Sequence, residues 1–324
     1  MYLSMNTIPV RVVAAKTIAE GIRLLRLAPL DGSLLPAWEP GSHIDLHLGE
    51  GITRQYSLCG SYADTSVYEV AVKREVESRG GSEFVHESLH VGSELSISAP
   101  RNHFKMSTES GHSLLVAGGI GITPIISMAR LLHDQAHSFE LLYFTRSETH
   151  AAFRDELDGG PLGDSCQLLF GQDRDAVETT LDDALRHRRE GAHLYLCGPQ
   201  AFMDTVRMVA ARHGWPDDAV HLEYFAAGVA SDTEPQTSFD VRLARSDRTF
   251  TIPVDRTIVD VLREHGTEIE TSCEQGICGT CVVNVLEGSP EHRDYFLTAK
   301  EHERGDCMAI CVSRSRSKLL VIDL

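Results

Sequence analysis

The chain has 324 residues, with 47 acidic side chains against 30 basic ones, a formal charge of −17, and 42% apolar and 24% charged residues. That length suits two or three globular domains and excludes a single small module, and the apolar content excludes a disordered chain. The acidity excludes nucleic acid as a partner, because phosphate contacts need clustered Lys and Arg, and points instead to an electropositive protein.

The N-terminal stretch MYLSMNTIPVRVV lacks the basic start, apolar block and small-residue cleavage site of a secretory signal. Over the first hundred residues, the runs 43–48, 54–59, 67–74 and 94–99 alternate apolar and polar positions between turn signals. This is the pattern of strands in a half-buried antiparallel sheet or β-barrel. EFVHESLH, after Arg79-Gly80-Gly81-Ser82, predicts a short helix. From about residue 110 apolar strands alternate with amphipathic helices: SLLVAGG with ITPIISMARLLH, FELLYFTR with THAAFRDEL, and AHLYLCGP with QAFMDTVRMVAARHG. That order predicts an α/β domain with a parallel sheet.

The uncharged run Ser113–Ala129 is too short to span a bilayer and is broken by Gly118, Gly119, Gly121 and Pro124, so no membrane association and a cytoplasmic location are expected. Residues 226–238 are small and polar, as in a linker. Beyond them SFDVRLARSDRTFTIPV reads as a hairpin. TIVDVLREHG reads as a helix with a Thr257/Asp260 capping box and Gly266 at its stop. VVNVLEG and LLVIDL are further strands. The expected domains are residues 1–107, 108–228 and 238–324, with a linker over 229–237.

In the cytoplasm the eight cysteines are not expected in disulfides, so their spacing is read for metal or redox chemistry. Cys273, Cys278, Cys281 and Cys311 follow the C-x4-C-x2-C-x29-C spacing of plant-type [2Fe–2S] sites. Gly276 and Gly279 lie between the ligands, where a tight loop turns its N–H groups toward sulfur. Structural zinc is the competing reading, but zinc ribbons favour two separated C-x2-C knuckles and one is present here. Cys307 competes with Cys311 as fourth ligand. The apolar run AICVS, read as a strand, favours Cys311. No C-x-H sequence occurs, so the chain carries no Rieske centre of its own.

Gly118-Gly119-Ile120-Gly121-Ile122-Thr123-Pro124 joins a strand to a helix, where glycines let the backbone approach a pyrophosphate. The dinucleotide fingerprint is incomplete. Pro124 takes the third glycine position, and the second strand ends Thr145-Arg146-Ser147 without an acid. Cys197-Gly198-Pro199 forms a second opening at the end of a later strand. Arg54-Gln55-Tyr56-Ser57 offers what a flavin needs: an aromatic face, a hydroxyl and a cation for phosphate. Gly80-Gly81-Ser82 offers a second phosphate cradle.

RQYS, AVKR, RGGS, GGIGITP, CGPQAFMDTV, HLEYF, CEQGICGTC, HRD and CVSRS stand in the order found in phthalate dioxygenase reductase and vanillate demethylase reductases, which this chain resembles along almost its whole length. The resemblance implies a flavin β-barrel of the ferredoxin-reductase type, an α/β nucleotide domain and a C-terminal β-grasp ferredoxin domain, with FMN, NADH and one [2Fe–2S] cluster as cofactors. It implies that Arg54, Gln55, Tyr56 and Ser57 hold the flavin, with Ala71, Val72, Lys73, Gly80, Gly81 and Ser82 around its phosphate. Phe225 would cover the flavin face shared with nicotinamide. Gly119, Gly121 and Thr123 would meet the pyrophosphate, Cys197 and Gly198 the nicotinamide, and Asp173 the adenosine half, with Arg146 a further cofactor-binding residue; Ser57, Phe225 and Cys197 would be the catalytic residues. Gln55 stands where phthalate dioxygenase reductase has Thr, and Ser147 where it has Asp.

NADH delivers two electrons as hydride and an iron–sulfur centre takes one at a time, so a flavin must stand between them. The expected acceptor is the Rieske centre of a separate terminal oxygenase acting on an aromatic acid or similar substrate, with this chain a monomer. A cytochrome P450 acceptor and a non-catalytic, zinc-stapled binding protein are the alternatives. Residues 263–303 hold nine acids against three bases. Glu264, Glu268, Glu270 and Glu274 are therefore expected to dock the ferredoxin face on a basic surface.

Overall fold

The structure is a computed structural model that describes residues 7–49, 52–76, 78, 80–107, 111–225 and 237–324. It divides into two compact units, Met1–Glu223 and Tyr224–Leu324. The first unit holds two sheets. The linker expected over 229–237 lies, except for Thr237, outside the described residues, as does Arg79.

The first sheet is built from β1 (Ile8–Ala19), β2 (Ile22–Pro29), β3 (Ser42–Leu48), β4 (Ile52–Ser57), β5 (Tyr68–Lys73), β6 (Glu94–Ile97) and β7 (Arg101–Asn102), with the short helix α1 (Gly81–Glu87) between β5 and β6. Its order is β4-β3-β6-β1-β2-β5, with β7 beside β3, and all its pairings are antiparallel. A single bridge between Leu58, just past β4, and Val70 of β5 ties the two ends of that path. Val10, Val12, Leu25, Leu27, Ile44, Leu46, Tyr68 and Val70 fill the interior and are fully buried. The alternation that hides every second residue of a strand places Arg54 and Tyr56 on one face of β4.

The second sheet contains β8 (His112–Gly118), β9 (Phe139–Thr145), β10 (Cys166–Phe170), β11 (Ala192–Cys197) and β12 (Val220–Glu223) in the order β10-β9-β8-β11-β12, all parallel. It is flanked by α2 (Ile122–Asp134), α3 (Arg154–Leu157), α4 (Arg174–Arg186) and α5 (Gln200–Arg212). The helix expected over THAAFRDEL is not formed as such. A 3-10 turn over Glu148–His150 and the single turn of α3 replace it, separated by Phe153 at φ 59°, a left-handed conformation that an α-helix cannot carry. Arg130 of α2 joins the two sheets: its guanidinium donates to the Cys59 carbonyl and pairs with Glu156 at 2.6 Å.

The second unit places β13 (Phe239–Leu243), β14 (Thr249–Ile252), α6 (Ile258–Glu264), β15 (Val282–Glu287), β16 (Pro290–Glu291), α7 (Ala299–Arg304), β17 (Cys307–Ala309), β18 (Arg314–Ser315) and β19 (Leu319–Ile322) around one core. The main sheet runs β14-β13-β19-β15-β17, mixed because β13 and β19 are parallel. α6 lies over Val241, Ile252 and Leu320 in that core, and its capping box closes as expected, Asp260 N–H to Thr257 Oγ1 at 3.1 Å and Thr257 N–H to Asp260 Oδ2 at 3.1 Å. Among the described residues no helix is long and apolar enough to cross a membrane.

Candidate functional site

Because every strand of the second sheet is parallel, its carboxyl edge collects the residues that follow the strand ends. Gly119 follows β8, Arg146 follows β9, Asp173 follows β10, Gly198 follows β11, and Glu223 ends β12. Gly119 sits at φ 55° with open space where a side chain would go. Gly121 is the opposite case, since a Cβ there would lie 2.2 Å from the Cys197 carbonyl oxygen. Gly118 and Gly198 also meet backbone to backbone, with the Gly198 Cβ position 3.1 Å from Gly118 Cα. The two openings expected from sequence are therefore one cleft, held shut at its base by glycines and open above Gly119. Thr123 is buried and donates from Oγ1 to the Ile120 carbonyl at 3.1 Å, fixing the turn into α2. Gly121→Ala is expected to force β11 from the loop, costing about 1–3 kcal/mol of stability and weakening NADH binding. Thermal melts and NADH titration of the variant check this.

Asp173 is exposed and caps α4, accepting the Ala176 N–H at 2.9 Å. Arg146 is exposed beside it in the sheet order.

On the side of the first sheet, Arg54 lies across the start of α1. A Cβ on Gly81 would stand 2.5 Å from Arg54 Cγ, and Gly80 takes φ 84°. The close approach brings a guanidinium and the backbone of the first turn together, a fitting cradle for a phosphate. Ser82 accepts the Glu75 N–H at 3.2 Å, and Lys73 pairs with Glu75 at 3.0 Å. Ala71 and Val72 are buried in β5. Burial raises the Tyr56 phenol to about 12, so it stays neutral. The Gln55 amide nitrogen is 3.3 Å from His43 Nε2.

The first sheet and the cleft meet at a contact that the sequence motifs do not announce. Ser57 Oγ donates to Glu223 Oε2 at 3.2 Å. Glu223 lies inside the quoted HLEYF segment, yet nothing in its sequence context distinguishes it from a surface acid. Burial lifts its carboxyl to about 8. Cys197 is wholly buried, and burial followed by the Glu223 charge pushes its thiol well above the ordinary value, so it is no thiolate nucleophile. Phe225 belongs to the second unit, two residues beyond Glu223, and is half-buried.

In the second unit Cys273, Cys278, Cys281 and Cys311 are all at most 5% exposed, and none is in a disulfide. Their sulfurs sort into two hydrogen-bonded pairs, Cys273 with Cys278 and Cys281 with Cys311, and these bonds hold the Cys278 and Cys281 thiols below their ordinary value. Thr280 Oγ1, 3.3 Å away, also touches Cys278, and the Gln275 N–H donates to Cys273 Sγ at 3.3 Å. Four converging thiols in two pairs suit a two-iron cluster that takes two thiolates at each iron. Gly276 and Gly279 both take left-handed φ, and a Cβ on Gly279 would sit 2.3 Å from the Phe296 ring. Cys311 lies in the turn after β17, not in a strand, because the β15 ladder ends at Ala309. Cys307 is held in that ladder opposite Asn284. Of the four glutamates expected on a docking face, Glu264 pairs with Arg256 at 2.7 Å and Glu274 with Arg263 at 2.6 Å. Glu268 and Glu270 are exposed.

Comparison with known proteins agrees with this geometry. A family model described as a 2Fe-2S iron-sulfur cluster binding domain matches residues 241–316, spanning all four cysteines. A second, the dimethylamine monooxygenase subunit DmmA-like N-terminal domain, matches residues 97–220. A vanillate O-demethylase oxidoreductase of Pseudomonas putida is 45% identical over 316 residues, 97% of this chain and 98% of that protein. Another from a Pseudomonas species is 42% identical over 319 residues, 98% of this chain and 100% of the relative. The solved structure of phthalate dioxygenase reductase, described as a modular structure for electron transfer from pyridine nucleotides to [2Fe–2S], superposes with TM-score 0.78 at 36% identity over 98% of each chain. An intact type IV self-sufficient cytochrome P450 monooxygenase gives TM-score 0.83 at 36% identity, over 98% of this chain and 41% of that one. Identity of this order from end to end means that the chain belongs to the vanillate O-demethylase oxidoreductase and phthalate dioxygenase reductase family of iron–sulfur electron-transfer oxidoreductases.

Proposed function

We propose that the chain is the reductase component of a multicomponent oxygenase, taking hydride from NADH onto FMN and passing single electrons through a [2Fe–2S] cluster to the Rieske centre of a terminal oxygenase that acts on an aromatic acid or similar substrate. The observation that carries this reading is the Ser57–Glu223 contact, which joins the flavin strand to the edge of the nucleotide cleft in a chain that also brings four thiols together. The relatives named for vanillate and phthalate systems support the acceptor class. The domain boundaries near residues 107 and 235 belong to the same proposal.

When bound, a flavin would supply hydride acceptance and one-electron release, and a cluster single-electron carriage. The chain's own residues position and insulate. Arg54, with Gly80, Gly81, Ser82 and Lys73, would hold the FMN phosphate, and Ala71 and Val72 would wall its chain. Tyr56 would lie along the ring, with Gln55 and Ser57 at its polar edge. Gly119, Gly121 and Thr123 would take the NADH pyrophosphate, Arg146 and Asp173 the adenosine end, and Cys197 and Gly198 the nicotinamide. Cys197 would act by bulk and exclusion of water, since its thiol stays protonated. Glu223, protonated near neutrality, would hold a proton on its carboxyl beside Ser57. Cys273, Cys278, Cys281 and Cys311 would hold the cluster.

Phe225→Ala is expected to change the rate of NADH-driven flavin bleaching at least ~tenfold while sparing the cluster spectrum. Unchanged stopped-flow kinetics would remove Phe225 from the site. A second acceptor class is favoured by one observation, the match to a self-sufficient P450 over 98% of this chain. Reconstitution with a Rieske oxygenase and with a P450, scored by substrate turnover per NADH, separates the two. Turnover with the P450 alone would overturn the Rieske assignment. Chromatography of the released flavin distinguishes FMN from FAD.

A further inference from the structure

His292, Asp294 and His302 form a cluster that the electron-transfer reading does not use. The three come from the loop after β16 and the last turn of α7, and their ligand atoms all lie within 4.8 Å of one another. Asp294 has no exposed side-chain surface and the His292 side chain is 9% exposed. Neither ring nitrogen of His292 has a hydrogen-bond partner. A buried imidazole with both nitrogens unpaired is costly, and native interiors rarely keep one without a reason. Its nearest acceptor is Asp294 Oδ1, 3.6 Å from Nδ1, beyond hydrogen-bonding range. His302 Nε2 approaches Asp294 Oδ2 at 3.4 Å. Two ligand atoms each ~2.1 Å from a tetrahedral ion stand about 3.4 Å apart, so these separations have the size of edges around one metal.

The geometry points to a divalent-metal site formed by His292, Asp294 and His302, of the imidazole-carboxylate type that takes Zn2+, with a fourth position open to water. The rings are stacked with centroids 4.2 Å apart at 14°, so binding turns one ring to aim both nitrogens at the ion. His302, with a 31% exposed side chain, is the way in. Asp294 already accepts the Leu297 N–H at 2.8 Å, and this bond orients the carboxylate as outer partners do in metal sites. Tyr295 N–H bonds the Gly276 carbonyl at 2.9 Å, so an ion here would brace the segment that packs on the cysteine loop. Nothing in the four-thiol site supplies these ligands, so the two metal sites are separate.

The test uses the full-length, iron-loaded protein, with zinc sulfate as the probe. After equilibration with Zn2+ and removal of loosely held ions, elemental analysis should find one zinc per chain beside two irons. His302→Ala should weaken zinc binding at least ~tenfold with iron content and visible absorbance unchanged. His302→Gln, which keeps the size, should do the same and covers the case that the alanine variant is unstable. Zinc binding equal in wild type and both variants, zinc taken up only as iron is lost, or no retained zinc would each overturn the site.

Discussion

Serine at Cys273 will abolish electron delivery to the oxygenase, by at least ~100-fold, and leave NADH-dependent reduction of ferricyanide within about twofold of wild type. Cys273 is 3% exposed and hydrogen-bonded to Cys278, inside a loop whose glycines adopt left-handed turns against Asp294 and Phe296. A hydroxyl at that position is a harder, less acidic ligand than a thiol, so the cluster loses one of its four anchors. The flavin strand and the nucleotide cleft lie in the other unit, Met1–Glu223, and their packing does not depend on Cys273. Spectra of the purified variant should show flavin without the cluster bands. A folded variant that lost both activities would sink the separation of the two modules. Cys307→Ser, in the β17 ladder, should leave both activities in place.

What could be read from sequence followed the strength of the local signal. The cysteine spacing named the cluster type because four ligands at set intervals leave few alternatives, and the Thr257/Asp260 capping box placed α6. The glycine loop also announced itself, although the reason Gly121 must be glycine is a carbonyl 76 residues away at Cys197. The two long strands of the first sheet, β1 and β2, carry no comparable signal. Their exposed positions include Pro9, Val13 and Thr17 beside Arg11, Lys16 and Arg26, so alternation shows in burial more clearly than in residue type. The helix over THAAFRDEL failed at one backbone torsion, that of Phe153, which no periodicity reveals. Cys311 was assigned to a strand because AICVS is apolar, but a ligand has to leave the ladder to reach the metal. Glu223 was missed because its environment is made by β4, 166 residues away in the chain. Long-range partners of this kind are supplied by the fold, whereas the cysteine pattern is local.

Glu223→Gln should remove a pH dependence from the hydride step. Burial holds the Glu223 carboxyl at about 8, against an ordinary value of 4.5, and Ser57 lowers it only in part. Near pH 7 the group is mostly protonated. As pH rises through about 8 a negative charge appears beside Ser57 and Cys197, where the proposed function would bring hydride, and such a charge would oppose added electron density. The wild-type rate of NADH-driven flavin bleaching should therefore fall above pH 8, whereas glutamine, similar in size but never charged, should give a flat profile. At pH 7 the two rates should agree within about threefold. Stability carries the same sign. Because the folded pKa is raised, the folded chain holds its proton more tightly than the unfolded one, and this contribution, full below pH 4.5, is lost progressively by about pH 8. The melting temperature of Glu223→Gln should gain on wild type as pH is raised across that window. Stopped-flow rates and thermal melts from pH 5 to 9 measure both. If the variant kept the wild-type rate profile, the proton that matters would reside elsewhere, and the Ser57–Glu223 contact would be structural alone.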